Sequence, residues 1–76
     1  MTAEEVLRLQ NATPFRPYDV LLSDGRALEI KHPDFLSVSE DEQLIRFYEL
    51  PDGLEIVDLL LVVSLRVPVS AQSSKQ

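Results

Sequence analysis

The residues best suited to chemistry lie in one short segment, at His32 and Asp34. His32 is the only histidine of the chain, and Asp34 follows it two positions later. An imidazole and a carboxylate can both bind a metal ion, and either can transfer a proton. Two ligands do not complete a metal site, and the chain has no cysteine that would add a thiolate. We therefore interpret His32 as a structural or solvent-exposed residue. A small-ligand or enzymatic site that uses His32 and Asp34 is the alternative.

A second candidate is a run of adjacent carboxylates. Glu40, Asp41 and Glu42 would need an apolar wall that raises one pKa before they could act as acid and base. The run lies in a predicted turn, which indicates that water solvates it. The two glycines, Gly25 and Gly53, also fall in predicted turns, and the sequence has no glycine-rich phosphate loop. The sequence therefore predicts no enzyme activity, no cofactor and no catalytic or metal-ligating residue.

Length and charge restrict the class of protein. The chain has 76 residues, which suits one small domain at 1–69 followed by a flexible polar tail at 70–76. With 13 acidic and 7 basic residues, its formal net charge is -6. Nucleic-acid binding relies on a positive surface, and the one local basic patch that we identify combines Arg16, Arg26 and Lys31. The composition therefore disfavours nucleic acid as a partner.

The sequence carries no pattern typical of export or membrane insertion. Residues 1–5 lack the basic and apolar regions of a signal peptide. The longest apolar run, at 59–63, has five residues, whereas a helix that spans a bilayer needs about 20. We therefore expect a cytoplasmic protein without membrane contact.

Hydrophobic spacing predicts one short helix followed by strands. Apolar residues recur at helical spacing from Ala3 to Asn11, and Thr2 forms a capping box with Glu5. Asn11 is expected to end the helix in the left-handed conformation. From Tyr18 the apolar period changes to two, which is typical of strands. We predict strands over 18–22, 26–31, 35–38, 43–50 and 54–58, and a last extended segment over 61–67.

The turn residues of the first hairpin predict its register. A three-residue loop with Gly25 in a left-handed bulge places Val20 opposite Leu28 and separates an apolar face from a polar one. A two-residue loop would place Val20 opposite Glu29 and mix the two faces. We therefore favour the three-residue loop.

The second hairpin is expected to close through a three-residue loop at 51–53. Arg46 would then face Asp58 in a cross-strand ion pair that fixes the register. The same register places Glu49 opposite Glu55, an unfavourable pair that requires either fraying or a basic group from another element.

This second hairpin has two apolar faces, although a sheet around one small core needs only one. One face carries Tyr48, Leu50, Leu54 and Ile56, and the other carries Ile45, Phe47, Val57 and Leu59. This second face would remain as an exposed patch that soluble monomers rarely tolerate. We therefore expect a homo-oligomer, which the substitution Phe47→Glu should dissociate. The predicted oligomer interface consists of Ile45, Phe47, Val57, Leu59 and Val62.

Four segments together resemble a family of short, uncharacterised bacterial proteins, whose pattern reads roughly PFRPF, DGR, HPDF and IDLL. The segments are Pro14-Phe15-Arg16-Pro17-Tyr18, Asp24-Gly25-Arg26, His32-Pro33-Asp34-Phe35 and Ile56-Val57-Asp58-Leu59-Leu60. The resemblance extends from about Glu4 to Val67 and implies no catalytic residue. The order of elements is also similar to the Sm-like fold, in which a short helix precedes a bent five-stranded barrel that assembles into rings.

These patterns predict a mostly β fold. A short N-terminal helix should precede a strongly bent antiparallel five- to six-stranded sheet or small barrel, Sm-like or SH3-like in type. We expect a small non-enzymatic module that self-assembles or binds another protein. One alternative is an Sm-like nucleic-acid-binding protein, and the other is the ligand binder or enzyme that uses His32 and Asp34.

Overall fold

The structure is a computed structural model that describes residues 1–49 and 52–68. These residues form one α-helix, six strands and two 3₁₀ helices. The helix α1 spans Ala3–Gln10, and the 3₁₀ helices span Pro33–Phe35 and Leu59–Leu61. The strands are β1 Tyr18–Leu22, β2 Ala27–Ile30, β3 Leu36–Val38, β4 Leu44–Glu49, β5 Gly53–Asp58 and β6 Val62–Arg66. The tail predicted at 70–76 lies outside the described residues.

The six strands form two antiparallel sheets of three strands each. The first sheet has the order β2-β1-β6, and the second has the order β3-β4-β5. Between β2 and β3 the chain passes through the 3₁₀ helix that Pro33 begins. A mostly β fold with a short N-terminal helix and antiparallel strands is therefore confirmed. Strand pairing does not close the described residues into a barrel.

The first hairpin has the predicted register. Val20 lies opposite Leu28 and Tyr18 opposite Ile30, and all four side chains are buried. Gly25 has a φ of 93°, in the left-handed region that a residue without a Cβ adopts at little cost. This loop sets the parity of both strands, so one face of the hairpin joins the core.

The predicted register of the second hairpin is wrong by two residues. Arg46 lies opposite Ile56 rather than Asp58, so the predicted ion pair does not form. Strand β5 begins at Gly53, which pairs with Glu49 and has no positive φ. Gly53 therefore extends the ladder instead of occupying a left-handed loop position. A shift of two residues preserves side-chain parity, so each strand keeps its predicted pair of faces.

One hydrophobic core contains side chains from both sheets and from α1. Full burial of a large apolar side chain stabilises a fold by about 1.5 to 3 kcal/mol, and this term dominates in so small a chain. The buried residues are Ala3, Val6, Tyr18, Val20, Leu22, Leu28, Ile30, Leu36, Ile45, Phe47, Val57, Leu59 and Val62.

Helix α1 covers part of this core with its apolar stripe. Ala3 and Val6 are buried, as the helical spacing predicts. The ends of the helix differ from the prediction, because Thr2 makes no side-chain capping hydrogen bond. Asn11 has φ -102° and ψ 11° rather than the left-handed conformation. Tertiary packing of the stripe therefore stabilises α1 more than its caps do.

Gln10, in the last turn of α1, connects the helix to both sheets. Its Nε2 donates hydrogen bonds to the carbonyl oxygens of Pro33 and Leu36, the second at 2.7 Å. Its Oε1 accepts a hydrogen bond from the Tyr18 hydroxyl at 2.8 Å. One amide group therefore joins α1, β1 and the connection between the two sheets.

The buried hydroxyl of Tyr18 should limit the stability of the fold at alkaline pH. Tyr18 is 1% exposed, and burial raises the pKa of its hydroxyl from 10.0 to about 12. The unfolded chain therefore loses this proton at lower pH than the folded chain. The contribution of the protonated Tyr18 hydroxyl to the free energy of unfolding is fully present below pH 10, and we expect it to be lost as the pH rises to about 12. Urea unfolding across this window measures the loss.

Two tyrosine variants test the origin of this alkaline destabilisation. Tyr18→Phe removes the titrating group, so its stability should depend less on pH in the same window. Tyr48→Phe is the matched control, because it removes the exposed tyrosine and keeps Tyr18. An equal loss of stability in Tyr18→Phe and in the wild type would contradict the assignment.

Candidate functional site

The side chains predicted to form an oligomer interface lie in the core of the monomer. They are between 0% and 7% exposed, so they offer no contact surface in the folded chain. For Ile45, Phe47 and Val57 the reason is parity, because they lie on the face of the second hairpin that joins the common core. Leu59 and Val62 join the same core from the second 3₁₀ helix and from β6. The assignment of the two faces is therefore corrected. The residues concerned are Ile45, Phe47, Val57, Leu59 and Val62.

Among the described residues, the large apolar side chains that remain exposed lie within the segment 48–63. Leu54 and Ile56 of β5 are 56% and 57% exposed, and Leu60 is 83% exposed. Scattered exposed apolar residues are ordinary, whereas neighbouring ones are typical of an interaction surface. Here Tyr48 lies opposite Leu54 in the ladder, and Ile56 and Leu61 line one groove. We name this set the outer apolar surface. It consists of Tyr48, Leu54, Ile56, Leu60, Leu61 and Val63.

Two of the four edge strands of the described sheets are longer than the other two. Strands β5 and β6 lie at the ends of their sheets and have six and five residues. The edge strands β2 and β3 have only four and three residues, and the exposed Glu29 of β2 pairs loosely, at 3.9 Å, with Lys31 just after that strand. Charged side chains and short length are the usual means by which proteins prevent edge pairing. Strands β5 and β6 therefore differ from β2 and β3 in offering longer edges.

A groove lies between the turn of the first hairpin and β5. It has a volume of about 250 Å³, and its apolar lining includes Leu22, Ile56 and Leu61. At this groove Nη1 and Nη2 of Arg26 donate to Oε1 and Oε2 of Glu55 at 3.1 and 2.5 Å. The planar guanidinium matches both oxygens of the carboxylate. This bidentate ion pair therefore joins the turn of the first hairpin to the edge strand β5 of the second sheet.

The same guanidinium also holds Asp24. Nε of Arg26 donates to Oδ2 of Asp24 at 3.1 Å, and the backbone N–H of Arg26 donates to Oδ1 at 3.0 Å. Hydrogen bonds from Arg26 lower the pKa of Asp24 and that of Glu55. Hydrogen bonds to Glu55 and Asp24 in turn raise the pKa of Arg26. Arg26, one of the three residues of the basic patch considered from the sequence, is therefore paired with two carboxylates.

The pair of Arg26 and Glu55 was not identified from the sequence, although the sequence contains a signal for it. Glu55 lies opposite Phe47 and shares the core-facing parity of Val57. A carboxylate at such a position needs a cationic partner, because burial without one is unfavourable. The sequence therefore shows that Glu55 shares a face of β5 with Val57. The identity of its partner depends on how the two sheets approach each other.

His32 and Asp34 do not form an enclosed polar site. Both side chains are exposed, at the beginning of the first 3₁₀ helix. The imidazole of His32 packs edge-on against the ring of Phe35, with 5.3 Å between the ring centroids. Within residues 1–49 and 52–68, no group of three or more His, Cys, Asp or Glu residues is placed to hold a metal ion. His32 was interpreted as a structural or solvent-exposed residue, and its side chain is exposed.

The acidic run forms an exposed turn, as predicted. Ser39 Oγ donates to Oδ1 of Asp41 at 2.6 Å, and the Gln43 backbone N–H donates to the same oxygen at 3.1 Å. These hydrogen bonds lower the pKa of Asp41. A general acid would need a raised pKa, so Asp41 is suited to holding the turn.

Comparisons with known proteins returned no match. No family model, no curated protein and no solved structure matches this chain. The resemblances to short bacterial proteins and to the Sm-like fold therefore stay predictions. Across the part of the chain that the structure describes, no helix has the length and apolar character needed to cross a membrane.

Proposed function

We propose that this chain is a small non-enzymatic module that assembles with further copies of itself. The observation that carries the proposal is the outer apolar surface together with the two longer edge strands, β5 and β6. A second copy is the occupant that fits both features, because each copy presents one edge of each kind. Pairing of β5 in one copy with β6 in another would be a head-to-tail contact.

Burial of the outer apolar surface would supply free energy for association. Removal of apolar area from water stabilises by about 25 cal/mol per Å². A domain of this size buries only about 60% of the surface of its unfolded chain, so burial against another copy adds a substantial contribution. The net charge of -6 opposes association of identical chains. The contact therefore depends on apolar side chains and backbone hydrogen bonds.

The proposal also includes the expectations on catalysis, cofactors, metals, cellular location and nucleic-acid binding. We assign no residue a catalytic, cofactor-binding or metal-binding role, and we expect a cytoplasmic location. The order of elements is similar to that of Sm-like proteins, which assemble into rings, and this analogy of fold agrees with self-assembly. The net charge continues to disfavour nucleic acid as a partner.

Hydrogen exchange at low and high protein concentration would locate the contact. We expect backbone amides of β5 and β6 to exchange more slowly at high concentration, because a paired edge protects its N–H groups. The amides of β2 serve as an internal control. Their rates should not change with concentration, since β2 is the shorter edge strand of its sheet.

Two results would contradict the proposed surface. Exchange rates of β5 and β6 that do not depend on concentration would exclude self-assembly through these edges. Slower exchange confined to β2 or β3 would place the contact on the other two edges.

A further inference from the structure

We propose that Arg26 positions the edge of β5 for assembly by neutralising Glu55. This inference rests on the proposed self-assembly and adds a specific residue to it. Arg26 need not contact the second copy in order to act. Its effect is to lower the free-energy cost of adding a strand at the β5 edge.

Glu55 is the unusual residue of the β5 edge. It lies opposite the buried Phe47 and two positions before the buried Val57, so it has core-facing parity, and its side chain is 31% exposed. Asp58, the other carboxylate of β5, is exposed and accepts a hydrogen bond from the Leu60 backbone N–H at 2.9 Å. A charge that points inward from an edge strand is one of the means by which natural sheets resist strand addition. Glu55 without a partner would therefore protect this edge.

Arg26 removes that protection from within the same subunit. Both oxygens of Glu55 accept hydrogen bonds from the guanidinium. Asp24 binds Nε of the same guanidinium, so the group is held in place before a second copy arrives. A paired carboxylate loses less on desolvation than an unpaired one. The β5 edge therefore combines a neutralised charge with the exposed side chains of Leu54 and Ile56.

The two partners of this ion pair should differ in their effect on assembly. Arg26→Gln leaves the Glu55 carboxylate without its cation at the edge, so association should weaken. Glu55→Gln removes the carboxylate itself, so association should persist. The double variant also lacks the unpaired carboxylate and should associate like the wild type. A purely structural ion pair would instead make the two single variants equivalent.

Sedimentation equilibrium of the full chain tests this difference. We expect Arg26→Gln to raise the dissociation constant about tenfold or more, and Glu55→Gln and the double variant to stay within about threefold of the wild type. Arg26→Lys retains the charge and should fall between Arg26→Gln and the wild type. Lys31→Gln is the matched control, since it changes the net charge equally at the β2 edge. Urea unfolding shows whether each variant is folded.

The outcomes separate this inference from the proposed function. Equal weakening by Arg26→Gln and Glu55→Gln would overturn the role of Arg26 and leave self-assembly in place. An unchanged dissociation constant in Arg26→Gln would overturn it as well. A wild-type chain that stays monomeric would overturn the proposed function itself.

Discussion

Phe47→Glu should unfold the monomer rather than only separate its copies. Phe47 is 7% exposed and belongs to the core that both sheets share with α1. Truncation of a buried phenylalanine costs about 3 to 5 kcal/mol, and burial of a carboxylate adds to that loss. At ordinary values per residue, a chain of this length has about 4 to 11 kcal/mol of total stability. Urea unfolding followed by circular dichroism should therefore show no cooperative transition.

Tyr48→Glu is the matched control for this substitution. It introduces the same charge at the next position of the same strand, where the side chain is 38% exposed on the opposite face. We expect this variant to unfold cooperatively. A Phe47→Glu chain that folds cooperatively as a monomer would show that the core lies on the other face of the hairpin.

Ile56→Glu should leave the fold intact and disperse the assembly. Ile56 is 57% exposed, lies on the β5 edge and lines the groove beside Arg26. A carboxylate introduced there would have to be desolvated in the contact, which costs several kcal/mol when it has no partner. We expect the dissociation constant to rise by about 100-fold or more. Sedimentation equilibrium measures the association, and urea unfolding verifies the fold.

Ala27→Glu separates a local effect from general charge repulsion. Ala27 is exposed on the β2 edge and does not belong to the outer apolar surface, so this variant gains the same charge on another strand. It should associate like the wild type. Equal dissociation of Ala27→Glu and Ile56→Glu would show that net charge, rather than this surface, controls assembly.

The first hairpin was predictable because its local signals agree. Its turn places Gly25 where a positive φ is needed, and its alternation gives one apolar face and one polar face. Both signals depend on residues close together in the sequence. The register, the buried face and the glycine conformation therefore followed from the residues alone.

The second hairpin was only partly predictable, because both of its faces are apolar. The parity of its strands was correct, and the choice of the buried face was wrong. One signal favoured the observed choice, since Arg46 and Tyr48 place polar atoms on one face. There the Arg46 guanidinium donates to Ser37 Oγ at 3.3 Å, and the Tyr48 hydroxyl lies 3.4 Å from the same atom. Groups that reach for polar partners are better placed at the surface.

The register of this hairpin depended on the conformation of one residue. Gly53 can adopt a left-handed conformation, which led to the expected loop at 51–53. In the fold it is extended and pairs with Glu49, which moves Arg46 away from Asp58. The ladder between β4 and β5 thus extends to the pair of Glu49 and Gly53, which forms only in the folded hairpin. The residue types of the turn do not determine whether this last pair forms.

The mass of the wild-type chain in solution tests the central claim most directly. Sedimentation equilibrium over a range of low micromolar concentrations would give this mass without a partner or a label. We expect a species heavier than the 8.6 kDa monomer, in reversible equilibrium with it. A single species of 8.6 kDa at every concentration would contradict self-assembly through the outer apolar surface.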